Sequence, residues 1–262
     1  MKHLVFVTAF VAPVRRAVVA FFAFSLLAAA SFAGEPEAVV FVAAHPDDII
    51  SSIGTMLLMK DRFQIHVVDY TDGGFNPNLV PVRRKEEARV CAALNAKVHY
   101  IDEHDGDAYA TRDSVAKLEK ILREVKPRAV FAHWPIDVHS DHVMSFAAMM
   151  KAARRVECPF EMYFFQYTIN SKNFPASIFV DITSVAEEKW RIIRLYECQN
   201  PSDAMCQEEI ITSRRVAANM WPPNPKGYAE AFAPVAGRPQ GPSIFTEIQR
   251  APDPVSFPRW GR

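Results

Sequence analysis

Two short stretches concentrate the residues that can do chemistry. The first is Ala44-His45-Pro46-Asp47-Asp48, which follows the apolar run Val39 to Val42 and precedes a small, apolar helical pattern through Ile50, Ile53, Met56, Leu57 and Leu58. The second is Asp137-Val138-His139-Ser140-Asp141-His142, which runs directly into VMSFAAMMKAARR. Pro46 restricts His45 to extended backbone, so a helix can start only after it. Two adjacent carboxylates and an imidazole at a strand end are costly near a core unless a cation shares them. His139 and His142 stand three apart at a helix start and therefore share a face. Two histidines and a carboxylate, with one position left for water, make a catalytic rather than a structural zinc set.

The elements around these stretches explain how they can meet. Val39 to Val42 reads as a buried parallel strand, which delivers polar groups to its carboxyl end, where open α/β sheets place ligands. Further strands are expected at Gln64 to Tyr70, Lys97 to Asp102, Arg128 to His133, Phe160 to Tyr167 and Ile178 to Ile182. Helices are expected at Val82 to Asn95, Asp113 to Val125 with Asp113 or Ser114 as cap, Ser184 to Glu197 and Ser202 to Met220. Strands alternating with helices predict an α/β fold: a single Rossmann-like domain, doubly wound, with a mostly parallel sheet and helices on both faces. In the common strand order the first and fourth strands are neighbours at the switch point, so the two polar stretches face one crevice. The segment from Trp221 onward holds nine of the 19 prolines and reads as an extended C-terminal wrap over 222–262.

With AHPDD at Ala44 to Asp48 and HSDH at His139 to His142, the chain resembles the LmbE/PIG-L family of zinc-dependent N-acetylglucosamine deacetylases. Arg84 and Glu87 in an Arg-rich helix, Phe179-Val180-Asp181-Ile182 and Tyr228-Ala229-Glu230-Ala231-Phe232 extend the likeness in the family's order. The resemblance implies one zinc ion per chain on His45, Asp48 and His142, with Asp47 as general base. It implies that His139 stabilises the tetrahedral intermediate or protonates the leaving amine, that Asp141 orients that imidazole, and that Arg84 and Asp105 contact the sugar. The family usually has Glu after the second Asp and glycines beyond it; here Ile49 and Ser51 stand there, which leaves every ligand in place. Independently of the family, zinc lowers the pKa of bound water to about 7, and Asp47 beside the ligands can take its proton.

The expected function is therefore a secreted zinc hydrolase that deacetylates an N-acetylglucosamine-type sugar or glycoconjugate. A zinc amidase for another small amide is the alternative within the same chemistry. An inactive carbohydrate-binding protein is the alternative outside it, disfavoured because a binder needs neither Asp47 nor His139. A nucleotide-binding module lacks its Gly-rich phosphate loop. His66, His99, His104 and His133 lack spaced partners and read as structural or surface groups, although His133 ends a strand beside the proposed site. Trp134 reads equally as a sugar-stacking or a core-covering ring.

Residues 1–33 carry Lys2, Arg15 and Arg16, an apolar Ala17 to Ala30 and small residues at Ser31 and Ala33. This is the pattern of a signal peptide cleaved after Ala33, with an uncleaved anchor as the alternative, and predicts an exported domain over 34–262, periplasmic or extracellular. The full chain has 30 basic and 30 acidic residues, so residues 34–262 carry a net charge of −3, which gives no electrostatic case for nucleic acid. Of the four cysteines, Cys198 and Cys206 are the pair that proximity favours for a disulfide, with Cys91 a buried thiol.

Overall fold

The computed structural model describes residues 36–157, 159–167, 170–235 and 243–248. The expected signal segment, Cys158 and the end of the expected wrap lie outside them. In chain order the elements are β1 (Ala38–Ala43), α1 (Ile53–Met59), β2 (Gln64–Thr71), α2 (Val80–Ala93), β3 (Ala96–Glu103), α3 (Arg112–Val125) and β4 (Ala129–His133). There follow α4 (Ser140–Arg155), β5 (Glu161–Phe165), β6 (Ile178–Asp181), α5 (Ala186–Ile193), α6 (Ala204–Asn219), β7 (Ala229–Pro234) and α7 (Ile244–Ile248). Short 3-10 turns at Asp48–Ser52 and Thr183–Val185 lead into α1 and α5.

Among the described residues the seven strands form one sheet in the order β3-β2-β1-β4-β5-β7-β6. β1 pairs in parallel with β2 on one side and β4 on the other, so the loops after β1 and β4 open onto a shared crevice. Val39, Phe41 and Ala43 of β1 face one apolar core, and Val40 and Val42 face the other. Burial on both faces is why β1 reads as an unbroken apolar run rather than an alternating one. Phe41 stacks on Phe131 of β4 with ring centroids 4.3 Å apart, which locks the two central strands at the level beneath the polar loops. No helix among the described residues is long and apolar enough to cross a membrane.

Three expectations need correction. The proline-rich segment does not only wrap: β7 lies between β5 and β6, antiparallel to both. Its Ala-Glu-Ala-Phe-Ala has little intrinsic strand preference, and the strand is made by the neighbours it pairs with. Helix α3 is capped by Thr111, whose hydroxyl oxygen accepts the Ser114 amide hydrogen at 3.0 Å, a few residues before the expected Asp113 or Ser114. Cys198 and Cys206 are free thiols: Cys198 Sγ lies 3.0 Å from Glu86 Oε2, whereas Cys206 is buried against the Trp190 carbonyl.

His66 and His99 are partners rather than isolated residues. Their rings stack across β2 and β3 with Nδ1 and Nε2 2.8 Å apart, so one ring donates to the other's lone pair and the pair is held neutral. Burial, then the neighbouring His99, pushes His66 down to about 4. Burial likewise lowers His99. Because the folded values lie below the unfolded value near 6.5, the pair's contribution is present above pH about 6.5 and is lost as pH falls toward 4. A His66→Gln variant is expected to show a shallower loss of Tm between pH 6.5 and 4.5 than the parent. Parallel Tm–pH curves would remove the pair from the acid response.

Candidate active site

The loop after β1 forms the floor of the site and is tightly tied. Asp48 Oδ2 accepts the backbone hydrogens of Ala44 at 3.1 Å and His45 at 2.8 Å, folding the carboxylate back onto its own loop. Thr71 of β2 donates both its amide and its hydroxyl to the Ala44 carbonyl, each at 2.8 Å. Asp47 adopts φ 115°, a left-handed conformation that costs a non-glycine residue on the order of 1–3 kcal/mol. Arg83 of α2 holds it there. One guanidinium nitrogen donates to the Pro46 carbonyl at 2.6 Å and Asp47 Oδ1 at 3.2 Å, and the other to the Gly73 carbonyl at 3.1 Å and Asp105 Oδ2 at 3.2 Å.

Around Asp48 the imidazoles converge. His45 Nδ1 lies 3.2 Å from Asp48 Oδ2, and His142 Nε2 lies 3.4 Å from Asp48 Oδ1. His133 Nε2 is 3.2 Å from Asp48 Oδ2 and accepts the Ala44 amide hydrogen at 3.0 Å. His139 is the N-cap of α4, its Nδ1 accepting the Asp141 amide hydrogen at 3.3 Å, and its ring stacks on His142 at 4.9 Å. Asp137 supports this wall from behind. Its Oδ1 accepts the His139 amide hydrogen at 2.9 Å and lies 3.2 Å from His142 Nδ1, out of line for a full hydrogen bond; its Oδ2 accepts from the Ser171 hydroxyl at 3.0 Å.

The structure thus brings His45, Asp47, Asp48, Asp105, His139, Asp141 and His142 together, while two expected contacts differ. The Asp141 side chain is fully buried on His45 Nε2 at 3.0 Å and on the Gly106 amide at 2.7 Å, so it braces His45 rather than the His139 ring. Arg84 does not line the cavity: it pairs with the exposed Asp102 and lies over the Tyr100 ring at 4.6 Å. A one-residue step on a helix turns a side chain by about 100°, and it is Arg83 that faces the site. Arg83, Asp137 and His133 are the groups the sequence reading missed. Tyr167 joins them, with its ring edge-on to His142 at 5.3 Å. Trp134 donates to the Lys172 carbonyl at 2.9 Å and packs edge-on against Phe164 and Phe174, which makes it a covering ring.

The cavity bounded by these residues measures about 540 Å³, a volume that holds a drug-sized ligand. Burial pushes Asp47 up to about 7 against the pull of Arg83. Burial also disfavours the Asp48 carboxylate, but His142 and His45 hold it well below the usual range. Burial works against protonated His142, yet Asp48 and Asp137 raise it to about 9; in the same way Asp48, Asp105 and Asp141 outweigh burial at His45. The carboxylates therefore draw protons onto His45 and His142, whereas burial keeps His133 and His139 low. Ligand atoms lie within 4.8 Å of one another in three groups: His45, His139 and His142; Asp48, His133 and His142; and His45, Asp105 and Asp141. A buried carboxylate flanked by imidazoles, with positive charge wanted at the shared point, fits a divalent cation that competes with those protons.

A family model described as PIG-L, GlcNAc-PI de-N-acetylase, matches residues 40–153, a span that includes both polar loops. The diacetylchitobiose deacetylase of Thermococcus kodakarensis is 26% identical over 189 residues, covering 63% of this chain and 71% of that protein. The N,N'-diacetylchitobiose deacetylase of Pyrococcus horikoshii, solved with an inhibitor, has a TM-score of 0.62 at 23% identity, over 78% of this chain and 85% of that one. GalB, the 4-carboxy-2-hydroxymuconate hydratase of Pseudomonas putida, has a TM-score of 0.61 at 21% identity, over 78% of this chain and 98% of that one. The scaffold by itself thus carries more than one reaction, and function must be argued from the site. The fold, the two polar loops and the matched span agree: residues 40–153 of this chain resemble the PIG-L (LmbE) family domain.

Proposed function

We propose that this protein is an exported, zinc-dependent N-deacetylase that hydrolyses the acetamide of an N-acetylglucosamine-type sugar or glycoconjugate. The observation that carries this reading is the contrast between two adjacent carboxylates. Asp48 sits among the imidazoles, whereas Asp47, on a left-handed backbone, pairs with Arg83 and joins none of the candidate metal clusters among the described residues. His45, Asp48 and His142 would hold the metal, with His133 and His139 beside them. When bound, zinc would lower the pKa of a coordinated water toward about 7 and polarise the amide carbonyl.

The chain's own groups supply the rest. Asp47, held near neutrality, accepts the proton of the attacking water as the carbon–oxygen bond forms. His139 accepts the Asp141 amide hydrogen at Nδ1, so the neutral ring carries its proton on Nε2. Burial and the neighbouring His45 and His142 lower its pKa, which favours that neutral form. Its Nε2 hydrogen is available as a hydrogen bond to the developing oxyanion, and the proton taken up by Asp47 passes to the leaving nitrogen. The carbon–nitrogen bond then breaks, the sugar leaves as an amine, and acetate remains. Asp105 and Arg83 line the same cavity and are placed to receive sugar hydroxyls.

Metal removal tests the reading. Protein stripped with a chelator is expected to release no acetate from N-acetylglucosamine or its short conjugates, and one equivalent of zinc per chain to restore release. Activity that survives complete stripping would overturn the metal assignment. Asp137 provides a second, binding-only test. A carboxylate behind a ligating imidazole fixes the ring and raises its basicity, and its loss typically weakens metal 10–100-fold. Asp137→Asn is expected to raise the zinc Kd by roughly that factor in a chelator competition, with the far-ultraviolet spectrum unchanged. An unaltered Kd would show that the ring is oriented by packing alone.

A further inference from the structure

The floor of the cavity is polar, but two of its lining residues are large, apolar and open to solvent: Phe75 is 83% exposed and Val138 is 64% exposed. Exposure this high places both at the mouth. Phe75 belongs to the loop after β2 and Val138 to the loop after β4. β1 lies between those strands in the sheet, so the two side chains stand on opposite sides of the His45–Asp48 floor.

Neither is a loose surface group. A Cβ on Gly106 would come within 3.1 Å of the Phe75 ring, so the ring rests on the backbone of the loop whose amide also binds Asp141. Val138 donates its amide hydrogen to the Asn170 carbonyl at 3.1 Å, and the Ile136 carbonyl accepts from Lys172 at 2.8 Å, which makes 136–138 an extended, bridged segment. Residues two apart in such a segment share a face, so Ile136, 51% exposed, extends the apolar surface beside Val138. Asp137 between them points the other way, to His142.

We propose that this rim is a subsite for an apolar aglycone, so that the preferred substrate is an N-acetylated amino sugar bearing an alkyl or aryl group. The inference rests on the deacetylase reading for the sugar that occupies the floor. A second sugar is the less suitable occupant: the Val138 and Ile136 side chains offer neither hydrogen bonds nor a flat ring face, and of the two aromatic residues that line the cavity among those described, Phe75 and Tyr167, only Phe75 is strongly exposed. Apolar side chains held rigidly in solvent at the edge of a polar cavity mark a surface that a ligand covers.

The test compares methyl and octyl N-acetyl-β-glucosaminide, the latter below its micelle threshold, with diacetylchitobiose. Acetate release and equilibrium binding are both measured on zinc-loaded protein. Burial of a few methylenes at the rim is expected to favour octyl over methyl by roughly tenfold or more in kcat/KM and in Kd. Phe75→Ser and Val138→Ser are each expected to bring that ratio down to about threefold or less. Equal affinities for octyl and methyl, or no measurable octyl binding, overturn the subsite. So does a preference for diacetylchitobiose that the same substitutions abolish. If the octyl compound binds tenfold tighter but no acetate is released from any sugar, the subsite stands and the deacetylase reading falls. If acetate is released equally from methyl and octyl, the reverse holds.

Discussion

Asp47→Asn is expected to lower kcat for acetate release by a factor of about 10²–10⁴, the usual contribution of a positioned general base. That corresponds to about 2.7–5.4 kcal/mol of lost transition-state stabilisation at 1.36 kcal/mol per decade. The substitution keeps the shape of the side chain and an oxygen acceptor for Arg83, which now reaches Asp47 Oδ1 at 3.2 Å. Asn also tolerates the left-handed backbone that this position adopts, so the loop is not expected to move. What is lost is the ability to take a proton. Zinc content and KM should therefore stay close to the parent values while kcat collapses, a pattern that marks an interaction made only in the transition state. Asp48→Asn provides the contrast: its carboxylate oxygens meet His45 and His142, so zinc binding itself should fail. If Asp47→Asn loses zinc as Asp48→Asn does, Asp47 is a ligand and the division of labour between the two carboxylates is wrong.

How much of this was legible in the sequence depends on how locally each feature is encoded. The sheet order around β1 and β4 and the two polar loops follow from short-range patterns: an apolar run ended by Pro46, and a histidine pair three apart at a helix start. Those patterns need no knowledge of the rest of the chain. Arg83 shows where such reasoning stops. Arg83 and Arg84 are adjacent on α2, and only the helix's rotation against the sheet decides that Arg83 clamps Pro46 and Asp47 while Arg84 goes to Asp102. His133 ends a strand buried on both faces, and such a strand has no polar alternation to say which way its last side chain turns. Asp137 acquires its position from Ser171, more than thirty residues later, through a bridge that neither segment announces. The free thiols follow the same logic, since Cys198 and Cys206 are close in sequence yet their side chains find different partners.

The largest expected effect on stability lies away from the cavity, at Lys189. This lysine of α5 is completely buried, with its ammonium 3.0 Å from Glu209 Oε2 of α6 and 2.8 Å from Glu230 Oε1 of β7. Burial alone would neutralise it, and the two carboxylates hold its pKa above the ordinary value. Glu230 does a second job at the same time: its two oxygens accept the backbone hydrogens of Gly54 at 2.8 Å and Thr55 at 2.7 Å, donors in the first turn of α1. That helix continues directly from the His45–Asp48 loop, so one carboxylate from the C-terminal strand ties the far end of the chain to the segment that carries the site. Glu230→Ala removes half of the lysine's compensation and strands two helix donors in the interior. It is expected to cost about 3–5 kcal/mol, a fall in Tm of roughly 10 °C for a domain of this size, read from urea and thermal unfolding. Replacing Lys189 by Met together with Glu209 and Glu230 by Gln should cost less than the single Glu230→Ala change, because no buried charge is then left unpaired. A loss below about 1 kcal/mol for Glu230→Ala would mean that water reaches the ammonium and that the triad does not anchor α1.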